Sequence, residues 1–226
     1  MDDLTWNILV MAGCYAYVVA MILVSEWLPF PRAVSRKFLH AMIGNLPFAM
    51  PLFTAPIYPF LVATPFIAVT FLATPYSPVK LPGRLGGLTE EGHSMGLVMY
   101  AVSYAVLAWF FGAKPYVVAA GILPMAYGDS SAALVGRYLG RNRYRVIEQK
   151  SLEGSAAMLV GSFFSVMTGL LYFGGVYPLG SVSVVSTSLA IAVLSTLVEA
   201  IAPRGLDNIG VPAIGVLAFI ALNGGA

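Results

Sequence analysis

The residues best suited to chemistry lie between residues 128 and 155, where one aspartate is followed by spaced glycines and cations. Asp129 ends an apolar run, a position where a carboxylate is costly unless it is paired or bound to a metal ion. Arg137, Arg141 and Lys150 supply donors that suit phosphate oxygens. A carboxylate for Mg²⁺ and cations for phosphates are the minimum equipment for phosphoryl chemistry, which this stretch therefore indicates.

The same stretch also has a purely structural interpretation. Basic residues in a loop fix the orientation of a membrane protein, and Asp129 can serve as the N-cap of a helix. Gly136 and Gly140 allow a ligand to approach the backbone closely, but they also have the spacing of a helix-packing motif. Arg137 between them argues against a buried packing face. The residues alone leave both interpretations open.

A second cluster, formed by Arg36, Lys37 and His40, opens the second apolar run. On a helix His40 lies one turn from the two cations and on the same face. A lone histidine in such a place is usually structural. The two adjacent cations nevertheless favour a role in phosphate contact.

Two further clusters are acidic. Glu90 and Glu91 lie just before the fourth apolar run, where they can simply complement the helix dipole or act as metal ligands or a base. Glu199 lies near the end of the seventh run and is followed by Asp207 and Asn208. Asp207 can cap the last helix, or it can be a second metal ligand with Asn208 as a hydrogen-bonding partner.

Several familiar motifs are absent from the sequence. It contains no Walker P-loop, no glycine-rich dinucleotide fingerprint and no Cys/His spacing typical of zinc sites. A nucleotide that binds here must therefore be held by another device.

Composition determines which elements position these clusters. Of the 226 residues, 59% are hydrophobic and 10% are charged, and the mean hydropathy is +0.84. A soluble domain carries about 25% charged residues, so lipid must be the solvent for most of this chain. We predict an all-α, polytopic membrane helix bundle that forms one domain over residues 1–226. Its spans, about eight in number, are predicted at 4–25, 38–54, 57–74, 95–112, 115–134, 155–174, 181–201 and 209–224.

Charge predicts the orientation of this bundle. If both termini lie outside, the inner loops hold all 12 basic residues except Lys114, as the positive-inside rule favours. The four clusters fall in or near the same loops, and the centres of the spans carry no ionisable residue. A transporter or scramblase normally needs polar sites near the midplane. The pattern therefore indicates an enzyme at the cytoplasmic rim, with a non-catalytic lipid transporter as the weaker interpretation.

Four motifs, in this order, resemble the CTP-dependent lipid-alcohol kinases, the family of dolichol kinase, phytol kinase and the CTP-using diacylglycerol kinase of fungi. They are R-K-F-L-H at 36–40, G-D-S-S-A-A-L-V-G-R-Y-L-G-R at 128–141, K-S-L-E-G-S at 150–155 and V-E-A-I-A-P-R-G-L-D-N-I-G-V-P at 198–212. Each motif alone is weak, whereas their joint occurrence is specific.

The resemblance implies transfer of the γ-phosphate of CTP to the hydroxyl group of a long-chain alcohol, with Mg²⁺ or another divalent cation. The K-S-L-E-G motif and the single Asp207-Asn208 pair resemble dolichol kinases more closely, because phytol kinases tend to have alanine in place of Glu153 and an Asp-Asp-Asn in place of Leu206-Asp207-Asn208. We therefore expect a dolichol- or polyprenol-type acceptor. Phytol, geranylgeraniol or diacylglycerol is the alternative within the family, and CDP-lipid synthesis is the alternative outside it.

The resemblance and the four clusters together imply three sets of residues. The expected metal ligands are Asp129, Asp207 and Glu199. The expected nucleotide- and phosphate-binding residues are Arg36, Lys37, Gly128, Ser130, Gly136, Arg137, Gly140, Arg141, Ser151, Gly154 and Asn208. The expected catalytic residues are Asp129, Lys150, Glu153, His40 and Glu91. Which of the last three orients or deprotonates the hydroxyl group is open.

The expected partners follow from the same reasoning. They are CTP, a long-chain lipid alcohol and the bilayer, with no nucleic acid, and the sequence leaves the oligomeric state open. We expect an integral protein of the cell membrane, or of the endoplasmic reticulum membrane in a eukaryote, with its active site on the cytoplasmic face.

Overall fold

The computed structural model describes residues 2–79, 95–180, 182–203 and 205–224, apart from the side chain of Arg32. These ranges are mostly helical. Their α-helices are α1 (Asp3–Trp27), α2 (Arg32–Ile43), α3 (Ile57–Leu72), α4 (Gly96–Phe111), α5 (Pro115–Leu123), α6 (Asp129–Tyr138), α7 (Leu152–Gly174), α8 (Val184–Ile201) and α9 (Asp207–Asn223). A 3₁₀ helix (Leu46–Leu52) follows α2, and a π-turn (Pro124–Gly128) joins α5 to α6.

Among the described residues, four helical segments are long and apolar enough to cross a membrane, namely Asp3–Trp27, Pro115–Tyr138, Leu152–Gly174 and Val184–Ile201. The helices α3, α4 and α9 are apolar but shorter, at 16 to 17 residues. At 1.5 Å per residue these reach about 25 Å, slightly less than a hydrocarbon core of about 30 Å. The membrane bundle is thus confirmed in its coarse form, while eight spans with both termini outside stay a prediction.

The predicted span over residues 38–54 is not one helix. The α-helix ends at Ile43, and the chain continues as the 3₁₀ helix. Pro47 and Pro51 explain the break, because an α-helix through them would lose two amide donors and place each ring against the carbonyl four residues earlier. The helix α2 has only 12 residues, too few to cross a membrane by itself, and it is not one of the candidate spanning helices.

The predicted fifth span is longer than expected, because the helix continues from Pro115 to Tyr138. Its π-turn is closed by a bond from the Asp129 amide to the Pro124 carbonyl. Pro124 has no amide hydrogen to donate, and π-turns often form where the regular ladder is interrupted. Asp129 therefore lies inside a continuous helix, and its side chain does not cap a helix N-terminus.

The centre of the bundle is α5, in which every residue is buried. It contacts α4, α7, α9 and the 3₁₀ helix. The contact with α9 is close because a Cβ atom on Gly215 would lie 2.4 Å from the Ala120 carbonyl oxygen. A helix that is apolar on all sides is expected in the middle of such a bundle.

One β-hairpin interrupts the helices, a feature that the all-α prediction omitted. Strands β1 (Arg143–Arg145) and β2 (Gln149–Ser151) are antiparallel, with Tyr144 opposite Lys150. Ser151 ends β2 and caps α7, its Oγ accepting a hydrogen bond of 3.1 Å from the Gly154 amide. The hairpin thereby carries Lys150 to the end of the bundle.

Candidate active site

A polar cavity of about 570 Å³ opens at one end of the bundle. It lies between the middle and last turn of α2, the beginnings of α4, α7 and α9, the end of α8, the helix α6 and the hairpin. Its walls are formed by Arg36, Lys37, His40, Gly96, Leu97, Asp129, Ala132, Ala133, Gly136, Arg137, Arg143, Glu148, Gln149, Lys150, Ser151, Gly154, Ser155, Glu199, Ala202, Asp207 and Asn208. Distant parts of the chain therefore meet at one site.

The first ion pair of the cavity joins Lys37 and Asp129. The Lys37 Nζ atom lies 2.5 Å from Asp129 Oδ2, and both side chains are largely buried. Beside it, Ser130 Oγ donates a 3.0 Å hydrogen bond to the Lys37 carbonyl oxygen. These two contacts hold α2 against α6. The carboxylate that was costly in an apolar run is thus stabilised by a cation from another helix.

His40 lies beside this ion pair but bonds elsewhere. Its Nε2 is 3.6 Å from Asp129 Oδ2, too long for a hydrogen bond, and 3.2 Å from the Met125 carbonyl oxygen. Burial lowers the pKa of His40 to about 4, so the imidazole is neutral at pH 7. Since a carbonyl oxygen only accepts, Nε2 carries the proton in this geometry. The ring packs on Tyr100 with a centroid distance of 4.4 Å.

The second ion pair joins Lys150 and Glu199. The Lys150 ammonium group donates to both the carboxylate and the backbone carbonyl of Glu199. The hairpin supplies the lysine and the last turn of α8 supplies the glutamate. The other carboxylate oxygen of Glu199, Oε2, is buried and has no hydrogen-bond partner among the described residues.

The start of α9 supplies the third group of polar atoms. Asp207 Oδ1 accepts a 3.0 Å hydrogen bond from the Asn208 amide, while the Asn208 carbonyl accepts one of 2.6 Å from Ser103 Oγ. The Asn208 Oδ1 atom is buried and unpartnered among the described residues. Gly205 sets this geometry, because its φ of 84° lies in the left-handed region that other residues rarely adopt.

The oxygen atoms of this cavity suit a hard divalent cation. Asp129, Glu199 and Asp207 line the same cavity within range of one another's charge, and the unpartnered oxygens of Glu199 and Asn208 are there as well. No three metal-binding side chains among the described residues already surround a single point. Mg²⁺ commonly uses only one or two carboxylates and completes its shell with waters and substrate phosphates. The donor set therefore fits a metal ion that arrives with a nucleotide.

Twelve of the residues expected from the sequence line this cavity. They are Arg36, Lys37, His40, Asp129, Gly136, Arg137, Lys150, Ser151, Gly154, Glu199, Asp207 and Asn208. Gly128, Ser130, Gly140, Arg141 and Glu153 are not among its lining residues. Glu91 lies outside the described residues, so its role stays a prediction.

Glu153 and the glycines have visible structural roles. The Glu153 carboxylate accepts hydrogen bonds from the backbone and side-chain amides of Asn142, at 3.1 and 2.8 Å, which closes the base of the hairpin. A Cβ atom on Gly154 would lie 3.3 Å from the Cα of Gly136. One on Gly140 would lie 2.6 Å from Ser151 Oγ. The glycines therefore allow α6 and α7 to pack closely, the structural alternative for the Gly136–Gly140 spacing.

Some cavity residues were not expected from the sequence. Arg143 and Gln149 reach the cavity from the hairpin, and Ser155 reaches it from the first turn of α7. From the sequence alone, Arg143 is one of the basic residues that predict the orientation of the bundle in the membrane. The alternation of Arg143, Tyr144 and Arg145 was the available signal for a short strand, since alternate residues of a strand point to opposite faces.

An apolar cleft adjoins the polar cavity. It has a volume of about 60 Å³ and lies between α2, α3, α4 and the start of the 3₁₀ helix. Its walls are Arg36, Leu39, His40, Ile43, Leu46, Ala63, Phe66, Thr70, Leu97, Tyr100, Ala101 and Tyr104. The cleft and the cavity share Arg36, His40 and Leu97.

Comparison with known proteins gives one consistent group of relatives. The chain is 32% identical over 204 residues to the phytol kinase of Synechocystis sp., which covers 87% of this chain and 84% of the relative. It is 28% identical over 228 residues to a probable phytol kinase 1, chloroplastic, of Glycine max. That match covers 93% of this chain and 75% of the relative. It is 23% identical over 235 residues to phytol kinase 1, chloroplastic, of Arabidopsis thaliana. That match covers 96% of this chain and 76% of the relative. No family profile and no solved structure matches the chain.

Proposed function

The chain belongs to the lipid-alcohol kinase family that includes the phytol kinases, and we propose that it transfers the γ-phosphate of CTP to the hydroxyl group of phytol or a closely similar isoprenoid alcohol. The observation that carries this proposal is the similarity to the Synechocystis phytol kinase over 87% of the chain. The dolichol preference expected from Glu153 and Leu206 has no specific support among the relatives. The alternative acceptor, phytol, fits them better.

The charges of the cavity support a nucleotide triphosphate as the donor. Five cationic side chains line it, namely Arg36, Lys37, Arg137, Arg143 and Lys150. Arginine and lysine donors match phosphate oxygens in geometry and charge. The choice of CTP over ATP comes from the resemblance of the four motifs to CTP-dependent kinases.

The carboxylates of the cavity support a requirement for Mg²⁺. In this proposal Asp129, Asp207 and Glu199, with the side-chain oxygen of Asn208, hold the ion. When bound, the ion would supply positive charge that offsets the negative charge developing on the donor phosphates.

The reaction is a direct displacement at the γ-phosphorus. The alcohol oxygen forms the new bond to phosphorus, the bond to the bridging β-phosphate oxygen breaks, and CDP leaves. Lys37 and Lys150 neutralise the phosphate oxygens as that bond loosens, and a carboxylate other than the three expected metal ligands accepts the hydroxyl proton and releases it to water. The Nε2 proton of His40 is committed to the Met125 carbonyl, so His40 donates no hydrogen bond from this atom to a carboxylate.

The position of the site supports a membrane-dissolved acceptor. The cavity lies at the end of an apolar bundle, so a lipid hydroxyl can reach it without leaving the bilayer. The basic residues of the inner loops favour the cytoplasmic face for this end, and the proposal includes that orientation.

A transfer assay with purified protein tests the proposal. The protein in detergent or liposomes is incubated with Mg²⁺ and γ-labelled CTP or ATP, and with phytol, geranylgeraniol, a dolichol and diacylglycerol in turn. We expect label on phytol or geranylgeraniol, with CTP as the better donor and CDP as the second product. Label on none of the isoprenoid alcohols, or release of pyrophosphate in place of CDP, would overturn it.

A further inference from the structure

We propose that the apolar cleft between α2, α3 and α4 binds the part of the acceptor's hydrocarbon chain next to its hydroxyl group, and that Ala63 at its inner end sets which chains fit. The inference rests on the proposed function and assigns a binding site for an isoprenoid chain. The cleft adjoins the polar cavity. Arg36, His40 and Leu97 belong to the walls of both the polar cavity and the cleft.

The chemistry of the cleft walls favours hydrocarbon. The hydroxyl groups of Thr70 and Tyr100 are occupied by bonds to backbone carbonyls, at 2.6 Å to Phe66 and 3.4 Å to His40. With two of the three hydroxyl groups in its described walls already bonded, the cleft is a poor site for water, which needs two to four partners. An amphiphile with its hydroxyl in the cavity and its chain in the cleft satisfies both environments.

The direction of the cleft follows from one contact between α3 and α4. Phe60 at the start of α3 packs on Trp109 near the end of α4, with ring centroids 4.9 Å apart, so the two helices are antiparallel. Leu97 marks the cavity end of α4. Tyr104 and Ala63 therefore mark the other end, deeper in the bundle. The distance from Leu97 to Tyr104 is about 10 Å of helix rise.

The small side chains in the cleft leave room for the methyl branches of an isoprenoid. Ala101 and Ala63 are buried alanines whose side chains line the cleft. The cleft is much too small for a whole lipid chain, so the remainder must pass between helices into the bilayer. A larger side chain at position 63 should therefore exclude long chains and spare short ones.

A matched pair of variants tests this assignment. Ala63→Leu fills the inner end of the cleft, whereas Ala105→Leu adds the same atoms at an equally buried alanine of α4 outside it. For each variant, kcat/KM is measured with phytol and with dimethylallyl alcohol, and KM is measured for the nucleotide. We expect Ala63→Leu to lower the ratio of kcat/KM for phytol to kcat/KM for dimethylallyl alcohol about tenfold or more. The KM for the nucleotide should be unchanged. Ala105→Leu should leave the ratio unchanged, because it changes packing and not the cleft.

A second measurement on the wild-type protein does not depend on turnover or on the folding of a variant. A phytol analogue with a diazirine near its hydroxyl group is photolysed in liposomes, and labelled peptides are identified. We expect label on the cleft faces of α2 and α4, removed by excess phytol but not by excess phospholipid. Label spread over the lipid-facing surface, or removed equally by phospholipid, would overturn the cleft assignment.

Failure of the proposed function can be distinguished from failure of the cleft assignment. If the wild-type protein phosphorylates no isoprenoid alcohol, the proposed function is wrong, and crosslinking still reports on the cleft. If it phosphorylates phytol but Ala63→Leu leaves the acceptor ratio unchanged, only the cleft assignment is wrong.

Discussion

The Lys37 ammonium group lies 2.5 Å from the carboxylate of Asp129, although the two residues are 92 positions apart in the chain. This contact joins α2 to the aspartate that begins α6. Because both side chains are largely buried, each stabilises the charge of the other. The same two groups would then face the phosphates and the metal ion of a bound nucleotide.

Replacement of Asp129 should abolish turnover without preventing membrane insertion. Asp129→Asn keeps the shape of the side chain but removes the charge that would hold a metal ion, so we expect kcat to fall by about 10²–10³-fold or more. Asp3→Asn, at an exposed carboxylate near the start of α1, is the control and should be fully active. The transfer assay on equal amounts of purified protein measures both, and an active Asp129→Asn enzyme would contradict the metal assignment.

The Lys150–Glu199 pair should separate stability from catalysis. Lys150→Met leaves a buried carboxylate without its cation and should cost about 3–5 kcal/mol of stability together with most of the activity. The double variant Lys150→Met/Glu199→Gln removes both charges, so its melting temperature should return toward that of the wild type while it remains inactive. Thermal unfolding in detergent and the transfer assay give the two readouts. Recovery of activity in the double variant would show that the pair is structural only.

Metal and nucleotide should bind together. Because the described residues hold no ready cluster of three metal ligands, we expect Mn²⁺ to bind weakly alone and much more tightly with CTP or CDP present. Linkage then requires that the metal ion raise nucleotide affinity by the same factor. Titration of Mn²⁺ by its electron paramagnetic resonance signal, with and without CDP, measures this factor. Equal affinity in both conditions would show that the site is preformed.

Glu153 offers a test of catalytic against structural roles. Its carboxylate holds Asn142 at the base of the hairpin and does not line the cavity. We therefore expect Glu153→Gln, which keeps one acceptor oxygen, to retain kcat within a few-fold of the wild type. A loss comparable to that of Asp129→Asn, with unchanged thermal stability, would instead support Glu153 as the base.

Gly205 should be required for the geometry of the third polar group. Its φ of 84° makes alanine unfavourable there, so Gly205→Ala should lower stability by about 1 kcal/mol or more and shift Asp207 and Asn208. Gly174→Ala is the matched control, because a Cβ atom at this last residue of α7 meets nothing within 4 Å. Thermal unfolding and nucleotide KM are the measurements. Equal effects of the two substitutions would show that the backbone turn is not the cause.

Most helices could be predicted from the sequence because apolar runs in a membrane must form helices locally. The segments at 4–25 and 155–174, for example, are observed as Asp3–Trp27 and Leu152–Gly174. Backbone groups in lipid have no partner except those of the same helix, so length and hydrophobicity are sufficient signals. The positions of the Lys and Arg residues likewise predict that the polar clusters lie at one face of the membrane.

The break after Ile43 depends on tertiary contacts in addition to the two prolines. A Cβ atom on Gly44 would lie 2.2 Å from the Cβ of Ala126. Asn45 is held by hydrogen bonds between its side chain and the hydroxyl groups of Tyr17 and Tyr127. These partners come from α1 and the π-turn, and no local pattern reveals them.

Composition alone indicates a membrane protein, the placement of charge predicts that most ionisable residues lie at one face, and four motifs relate the chain to lipid-alcohol kinases. The pairing of the charges, the position of Lys150 on a hairpin, and the apolar cleft that shares wall residues with the polar cavity become visible only in the folded chain. The difference arises from the sequence separation over which each interaction acts. Hydrophobicity and backbone hydrogen bonding act within a segment, whereas ion pairs and cavities depend on how distant segments pack.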